Sequence, residues 1–574
     1  MNLTTSRKIA YLLTLQGWNG MTMPPGLSCR TEQPGRRPHG VELGVVGLVF
    51  ASLVLGALFA SGDFGSNWDE DDNRDIGVQA VADATAFLAG DWTETSRLNR
   101  EHGPAFELAL LAFERTLAPS PDLRAVDLMR HRATAMLFVL SCLAFYAFCR
   151  RYFQSWPLAL LGMCELALHP LMFGHAFGNT SDISFVAMTS FCLFTLCSVV
   201  TTRRYAWVAA HAFASGVAVD IRVVGVFWIP VTGVVLALDS WQRPLRWRSA
   251  VRTFAAYATC ASVVIVACWP YLWPAPLTNL TWAIGSMARI AYDDTLMHLG
   301  ARIHTIALPW HYNLVWIAVT TPPVILGLTV LGLGKHTVAF CRAPSPWLRE
   351  HALLAGVAAW LVVPLVAPMI LHSVLFDSWR HHFFVYPPMV VFSLVGCRIL
   401  IATASTHLEP QRVRRAATTL ATAVCVWLVG TLVWLHPYEA LYFNSLARLS
   451  PQVDPALGLA GRFDLDYWGL SYREGLEFLA SHTTGPIRVF NLSPPLEKSA
   501  VWLASADRDR IIFVSSLAEA DYFLSTYRYQ DAEYSAAYGE EVFARRLGED
   551  KILTVRRLPG MEGQGRSAHT RPKG

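Results

Sequence analysis

The sequence predicts a mainly α, polytopic membrane protein with a small α/β domain at its C-terminal end. Three observations predict it. Of 574 residues, 53% are hydrophobic and the mean hydropathy is +0.34, outside the usual range of a water-soluble chain. Apolar stretches long enough, or nearly long enough, to cross a bilayer recur between residues 43 and 436. From about residue 437 the composition becomes that of an ordinary soluble segment.

The apolar stretches fall at about 43–61, 131–149, 156–172, 183–200, 205–219, 223–238, 253–269, 312–334, 351–371, 383–401 and 416–436, about eleven spans in all. The first follows some 40 polar residues and has no small-residue cleavage site beyond it, so it reads as an uncleaved anchor. Lys and Arg cluster in every second connection: Arg36-Arg37, Arg150-Arg151, Arg203-Arg204, Arg243 to Arg252, Lys335 to Arg349, and Arg412 to Arg415. Positive residues in short loops stay on the cytoplasmic side, so these connections are inside and the alternate ones outside. The segment 104–118 carries Glu107, Glu114 and Arg115 and is too short and charged to cross, so it reads as an amphipathic helix in the outer interface.

This organisation gives a cytoplasmic tail at 1–42, a membrane domain at 43–436 with external loops at 62–130 and about 270–311, an external α/β domain at 437–560, and a disordered tail at 561–574. In the outer domain, Ile487–Asn491, Arg510–Val514 and Asp521–Leu524 read as strands, and Tyr472–Ala480 and Pro495–Ala504 as helices. A net charge of only +4, with its cations placed by topology, argues against a nucleic-acid partner. Nine of eleven cysteines lie in or beside apolar runs without metal-ligand spacing, as small packed hydrophobes do.

The first external loop opens Gly65-Ser-Asn-Trp-Asp-Glu-Asp-Asp-Asn-Arg-Asp75, five acids within seven positions just beyond a span. A solvated acidic loop is the plain reading. The functional reading rests on Trp68, an interfacial residue that would hold the loop at headgroup depth, and on His102-Gly-Pro further along it. A carboxylate there can act as general base on an acceptor hydroxyl while a lipid phosphate leaves. Such a reaction needs cations to take up the charge growing on the phosphate. External candidates are Arg130 and Arg132 at the mouth of the second span, Arg222 in a tight turn, and Arg380 with His381 between two later spans. Each also has a plain reading as a snorkelling or bundle-tying residue. His169, His175, Asn179 and Asp182 are further polar residues near the same boundary.

The ordered set of segments resembles the GT-C glycosyltransferases, in particular bacterial relatives of protein O-mannosyltransferases and aminoarabinose transferases. The resemblance is carried by Trp68-Asp69-Glu70, His102-Gly-Pro, Arg130-His-Arg132, His169-Pro with Asn179-Thr-Ser-Asp182, Leu308-Pro-Trp-His-Tyr312, Asp377 to Tyr386-Pro-Pro, His436-Pro-Tyr438 and Asp466-Tyr-Trp-Gly469. It implies two interfacial helices in the first external loop, a polyprenyl-phosphate sugar donor, inversion at the anomeric carbon, and catalysis by Asp69 as base with Glu70 as its neighbour. It also implies phosphate contact by Arg132 or Arg130. Asp71 and Asp72 depart from the family pattern, which leaves the register of the base open among four acids, and His102-Gly-Pro stands where His-Pro-Pro is usual. Metal use differs within the architecture. Four adjacent acids can hold a divalent ion, but without a second clear metal acid beyond Asp182 the expectation is no obligatory cofactor.

The expectation is therefore an inner-membrane glycosyltransferase passing a sugar to a lipid, protein or glycan acceptor on the periplasmic side, with substrate-binding residues drawn from His102, Arg130, Arg132, Asp182, Arg222, Arg380 and His381. A transporter or lipid flippase is the competing class. Transporters place ionisable residues near the bilayer midplane and often show internal repeats. Here the charges gather at the outer boundary. A scaffold without activity, binding a partner through its outer domain, is a third reading.

Overall fold

The computed structural model describes residues 40–559 apart from 92–99, 118–121, 242–246, 288–291, 493–494 and 531. The expected N-terminal tail up to residue 39 and the expected disordered tail at 561–574 lie outside the described residues, as do Arg243 and Arg246.

Among the described residues, nine helices are long and apolar enough to span a membrane: Gly40–Ala60, Leu123–Phe153, Asp182–Thr202, Val223–Trp241, Trp247–Cys268, Pro323–Arg342, Ala352–Leu371, Arg380–Ser405 and Pro410–Leu435. A tenth span is broken. Helices Trp156–Ala167 and Pro170–Gly178 meet at 58°, because Pro170 has no amide hydrogen and pushes His169 out of helical backbone. Helix Tyr205–Ile221 completes the eleven expected stretches; its 17 residues rise roughly 26 Å, slightly short of the hydrocarbon core. The stretch expected at 312–334 is not one helix. Pro322 and Pro323 divide it into Tyr312–Thr320 and the spanning Pro323–Arg342.

Helix Asp182–Thr202 lies at the centre and is buried almost throughout, whereas Gly40–Ala60 and Pro410–Leu435 are peripheral, with Leu48, Phe59, Val426 and Val433 exposed. Exposed apolar residues on such helices are the lipid-facing surface. Where spans cross closely, small residues permit it: a Cβ on Gly396 or Gly332 would strike the carbonyl oxygen of Leu328 or Phe392 across the Pro323–Arg342 and Tyr386–Ser405 contact.

The connection after the first span contains two helices. The four consecutive acids do not lie in a loop but form the first turn of helix Asp69–Ala89, where free amide hydrogens and the helix dipole accommodate negative charge. Helix Ala105–Leu117 is the amphipathic helix expected at 104–118. The connection after helix Trp247–Cys268 contains helix Pro276–Met287 and a short antiparallel hairpin, β1 (Thr295–His298) and β2 (Ala301–His304).

The C-terminal domain has the expected α/β character. Strands β3 (Ile487–Asn491), β4 (Ile511–Phe513) and β5 (Tyr522–Ser525) pair in parallel around β3. A hairpin of β6 (Glu540–Leu547) and β7 (Asp550–Arg557) adds antiparallel strands to give the order β4-β3-β5-β7-β6. Helix Tyr472–His482 covers the sheet, burying Leu476 and Leu479 against Leu524, Leu553 and Val555. The helix expected at Pro495–Ala504 is a single turn, Leu496–Ser499, followed by a 3-10 turn.

The C-terminal domain grips the segment between the first span and helix Asp69–Ala89. Arg473 donates to the Gly62 and Phe64 carbonyls, Trp502 Nε1 to Ser66 Oγ at 2.8 Å, and Lys498 Nζ to the Trp68 carbonyl at 2.8 Å. Trp68 Nε1 in turn donates to the Tyr467 carbonyl at 2.8 Å.

Candidate active site

A cavity of about 660 Å³ opens at one end of the helical bundle. Its walls come from connections of a single parity: Trp68 and Asp69 after the first span, Ser181 before Asp182–Thr202, Arg222 before Val223–Trp241, and Asp377 and Arg380 before the helix ending at Ser405. All therefore lie at the same end of the bundle. The opposite ends of these helices carry Arg150-Arg151, Arg203-Arg204 and Arg412 to Arg415.

Asp69 is positioned by what precedes it. Asn67 Oδ1 accepts the Asp69 amide hydrogen at 2.9 Å and stops the chain from entering the helix earlier. Glu70 holds Asn67 in place by accepting its backbone and side-chain N–H at 3.1 and 2.9 Å. The second Glu70 oxygen meets His131 Nε2 at 3.2 Å, and the other ring nitrogen of His131 donates to the Ser61 carbonyl. Glu70 is thus buried and turned away from the cavity, whereas Asp69 lines it and keeps 30% of its side chain exposed. Of the four acids, only Asp69 and Asp72 border the cavity, and only Asp69 is paired to a buried arginine there.

That arginine is Arg380, whose side chain is 6% exposed. Its Nη1 lies 2.8 Å from Asp69 Oδ2 and 3.4 Å from Asp182 Oδ2, and its Nη2 3.3 Å from Asp377 Oδ2. Asp182 also pairs with Arg222. On the far side, Arg528 Nη2 lies 3.2 Å from Asp377 Oδ1 and 3.8 Å from Asp294 Oδ2, with its guanidinium 5.0 Å from the Trp68 ring centre. Asp69 and Asp377 on the cavity wall, with Asp182 and Asp294 beside it, therefore alternate with the guanidinium groups of Arg222, Arg380 and Arg528. Burial pushes the Asp377 carboxyl up, against the pull of Arg528 and Arg380; at Arg528 burial pulls the guanidinium down but is outweighed by the negative groups around it, Asp377 first, so it is held above its ordinary value.

Other expected residues divide between cavity and scaffold. His102 and His381 line the cavity. Burial, then the charge of Arg222, lower His102 to about 4, so it offers a neutral imidazole at neutral pH. Asp182 lies just behind the wall as the tie between Arg222 and Arg380. Arg130 and Arg132, expected at the phosphate, are not at the cavity. Arg130 is buried against Glu107, joining the interfacial helix to the second span, and Arg132 Nε donates to Ser61 Oγ at 3.2 Å. The second span begins at Leu123, eight residues before the expected 131, which draws both arginines into the helix and away from its mouth.

Arg528 escaped the sequence reading because it lies in the C-terminal domain, more than 140 residues after Arg380. No His/Cys/Asp/Glu cluster of three or more suited to a metal ion occurs among the described residues. The carboxylates Asp69 and Asp377 on the wall and Asp182 behind it are instead shared with Arg380, which a cation would have to displace.

No protein-family profile matches the chain, and no curated protein matches it in sequence. The chain is similar to the solved structure of ArnT from Cupriavidus metallidurans bound to undecaprenyl phosphate, at 16% identity and a TM-score of 0.43, over 89% of this chain and 98% of that one. It is also similar to an Archaeoglobus fulgidus oligosaccharyltransferase in its apo form, at 10% identity and a TM-score of 0.44, over 83% and 69% of the two chains.

Proposed function

We propose that this chain is a GT-C type membrane glycosyltransferase that moves a sugar from a polyprenyl-phosphate donor to an acceptor hydroxyl on the periplasmic side of the bacterial inner membrane. The single observation that carries the reading is the Asp69–Arg380 pair: a partly exposed carboxylate and a buried guanidinium facing one cavity at the end of the bundle. The orientation is supported by the arginine-rich connections at the opposite end.

In this reading Asp69 accepts the proton of the acceptor hydroxyl as its oxygen bonds to the anomeric carbon. The bond from that carbon to the phosphate oxygen breaks, and the oxygen keeps the electron pair. The donor, a phosphodiester with one negative charge, becomes a phosphomonoester with a second. Arg380, joined to Arg222 through Asp182, stabilises that added charge from the cavity wall. Attack from the face opposite the leaving phosphate inverts the anomeric centre. His102, neutral beside Arg222, is suited to accept a hydrogen bond from a sugar hydroxyl. Glu70 serves by fixing the turn that presents Asp69 rather than by touching the acceptor.

The test is transfer from a radiolabelled polyprenyl-phosphate sugar by purified protein. Asp69→Asn is expected to lower the rate by roughly 10²–10⁴-fold with the protein still inserted and folded. A variant of normal activity would remove Asp69 from the mechanism.

A further inference from the structure

The carboxylate of Asp377 lies on the cavity wall with each oxygen engaged by a different arginine, Oδ2 by Arg380 at 3.3 Å and Oδ1 by Arg528 at 3.2 Å. The two arginines belong to different parts of the molecule. Arg380 begins a membrane helix, and Arg528 follows strand β5 of the outer domain. We propose that the donor phosphate binds between Arg380 and Arg528, where the Asp377 carboxylate lies, so that the outer domain supplies half of the phosphate site and Asp377 is a displaceable stand-in for the phosphate.

This inference rests on the donor class proposed above and assigns it a site. The two oxygens of a carboxylate and the two non-bridging oxygens of a phosphodiester present a similar fork to a pair of guanidinium groups, and charge-assisted contacts of this kind are strong for either. The local backbone suits an exchange. Asp377 and Ser378 are consecutive non-glycine residues at φ 54° and 67°, and Tyr527 and Tyr529, either side of Arg528, lie at φ 63° and 65°. Such conformations persist only where surrounding contacts hold them. Here the contact joining the two strained segments is the Asp377–Arg528 pair itself. Arg528 is kept in reach by the Trp68 ring beneath it.

The wall next to Asp377 is apolar. Pro364, Pro368 and Leu371 at the end of helix Ala352–Leu371 line the cavity, and Leu371 and its neighbour Ile370 are 61% and 69% exposed on a membrane helix. A prenyl chain attached to a phosphate at Asp377 would leave along this wall toward lipid.

The experiment measures binding of a C55 polyprenyl monophosphate, with the parent polyprenol as control, to the full chain in lipid nanodiscs by native mass spectrometry. Wild type is expected to bind the monophosphate and not the alcohol. Arg528→Ala should weaken binding roughly tenfold to a hundredfold, and Arg528→Lys should weaken it less. Asp377→Asn removes the competing charge and is expected to tighten binding. If Asp377→Asn does not fold, Asp377→Glu, which extends the carboxylate between the two arginines, is expected to weaken binding. Unchanged binding in Arg528→Ala, or weaker binding in Asp377→Asn, would overturn the proposal while leaving the donor class standing. Failure of folded wild type to bind the monophosphate at all would overturn both.

Discussion

Gly103 packs against Asp220 so closely that a Cβ at position 103 would collide with both the side-chain and main-chain oxygens of that aspartate. The contact seats the segment before the interfacial helix on the tight turn that carries Arg222, and it is what brings His102 to the cavity. Asp220 Oδ1 also accepts the Ala105 amide hydrogen at 3.3 Å. Gly103→Ala is therefore expected to destabilise the protein by about 1–3 kcal/mol through overpacking and to reduce sugar transfer with it. A melting temperature in detergent equal to that of wild type would show that the turn has room to give.

Glu70 offers a contrast with its neighbour Asp69. Glu70→Ala strips a buried acceptor from Asn67 and His131 and is expected to cost about 1–3 kcal/mol of stability. Glu70→Gln keeps one carbonyl oxygen for Asn67 and should retain most of the stability. Thermal unfolding of both variants checks this. Wild-type stability in Glu70→Ala together with lost activity would return Glu70 to a direct chemical role.

His436, just past the last span, meets Glu439 Oε1 at 2.8 Å and Asp63 Oδ2 at 3.1 Å. The bond to Glu439, and then the one to Asp63, push its imidazole up to about 9 from an ordinary 6.5. The folded value lies above the unfolded one, so the stabilisation is fully present below about pH 6.5 and is lost as the pH rises through about 9. Melting temperature between pH 6 and 10 is expected to fall more steeply for wild type than for His436→Gln. Parallel curves would mean that the pair adds nothing to stability.

Chelation tests the carboxylates a different way. With Asp69, Asp182 and Asp377 all shared by Arg380, transfer is expected to proceed at an unchanged rate in excess EDTA. Loss of activity on chelation, restored by Mg²⁺ or Mn²⁺, would show that an ion replaces Arg380 during turnover.

Much of this architecture was legible because a bilayer imposes long apolar runs: the nine spanning helices among the described residues, the broken pair and helix Tyr205–Ile221 all fall on predicted apolar stretches. Breaks at prolines were less visible, since Pro170 and Pro323 interrupt runs that remain apolar throughout. The hairpin of β6 and β7 was hidden by its charge: Glu540, Arg545, Arg546 and Lys551 obscure the alternation, although Gly548 at φ 61° marks its turn. At the site, local sequence pointed to Asp69, Arg222, Arg380 and His102. It did not reveal that Arg130 and Arg132 are turned away from the cavity, or that Arg528 comes back to it. Those facts depend on helix phase and on contacts across hundreds of residues.

The hydrogen bond from Trp68 to the Tyr467 carbonyl joins positions 399 residues apart. Contacts of such separation form late, because the chain between them must first be in place. The turn that presents Asp69 leaves the ribosome well before its supports Arg473, Lys498 and Trp502. A nascent or truncated chain would hold the carboxylate without the geometry that makes it useful. Arrival of the C-terminal domain is thus a condition for the geometry of the turn.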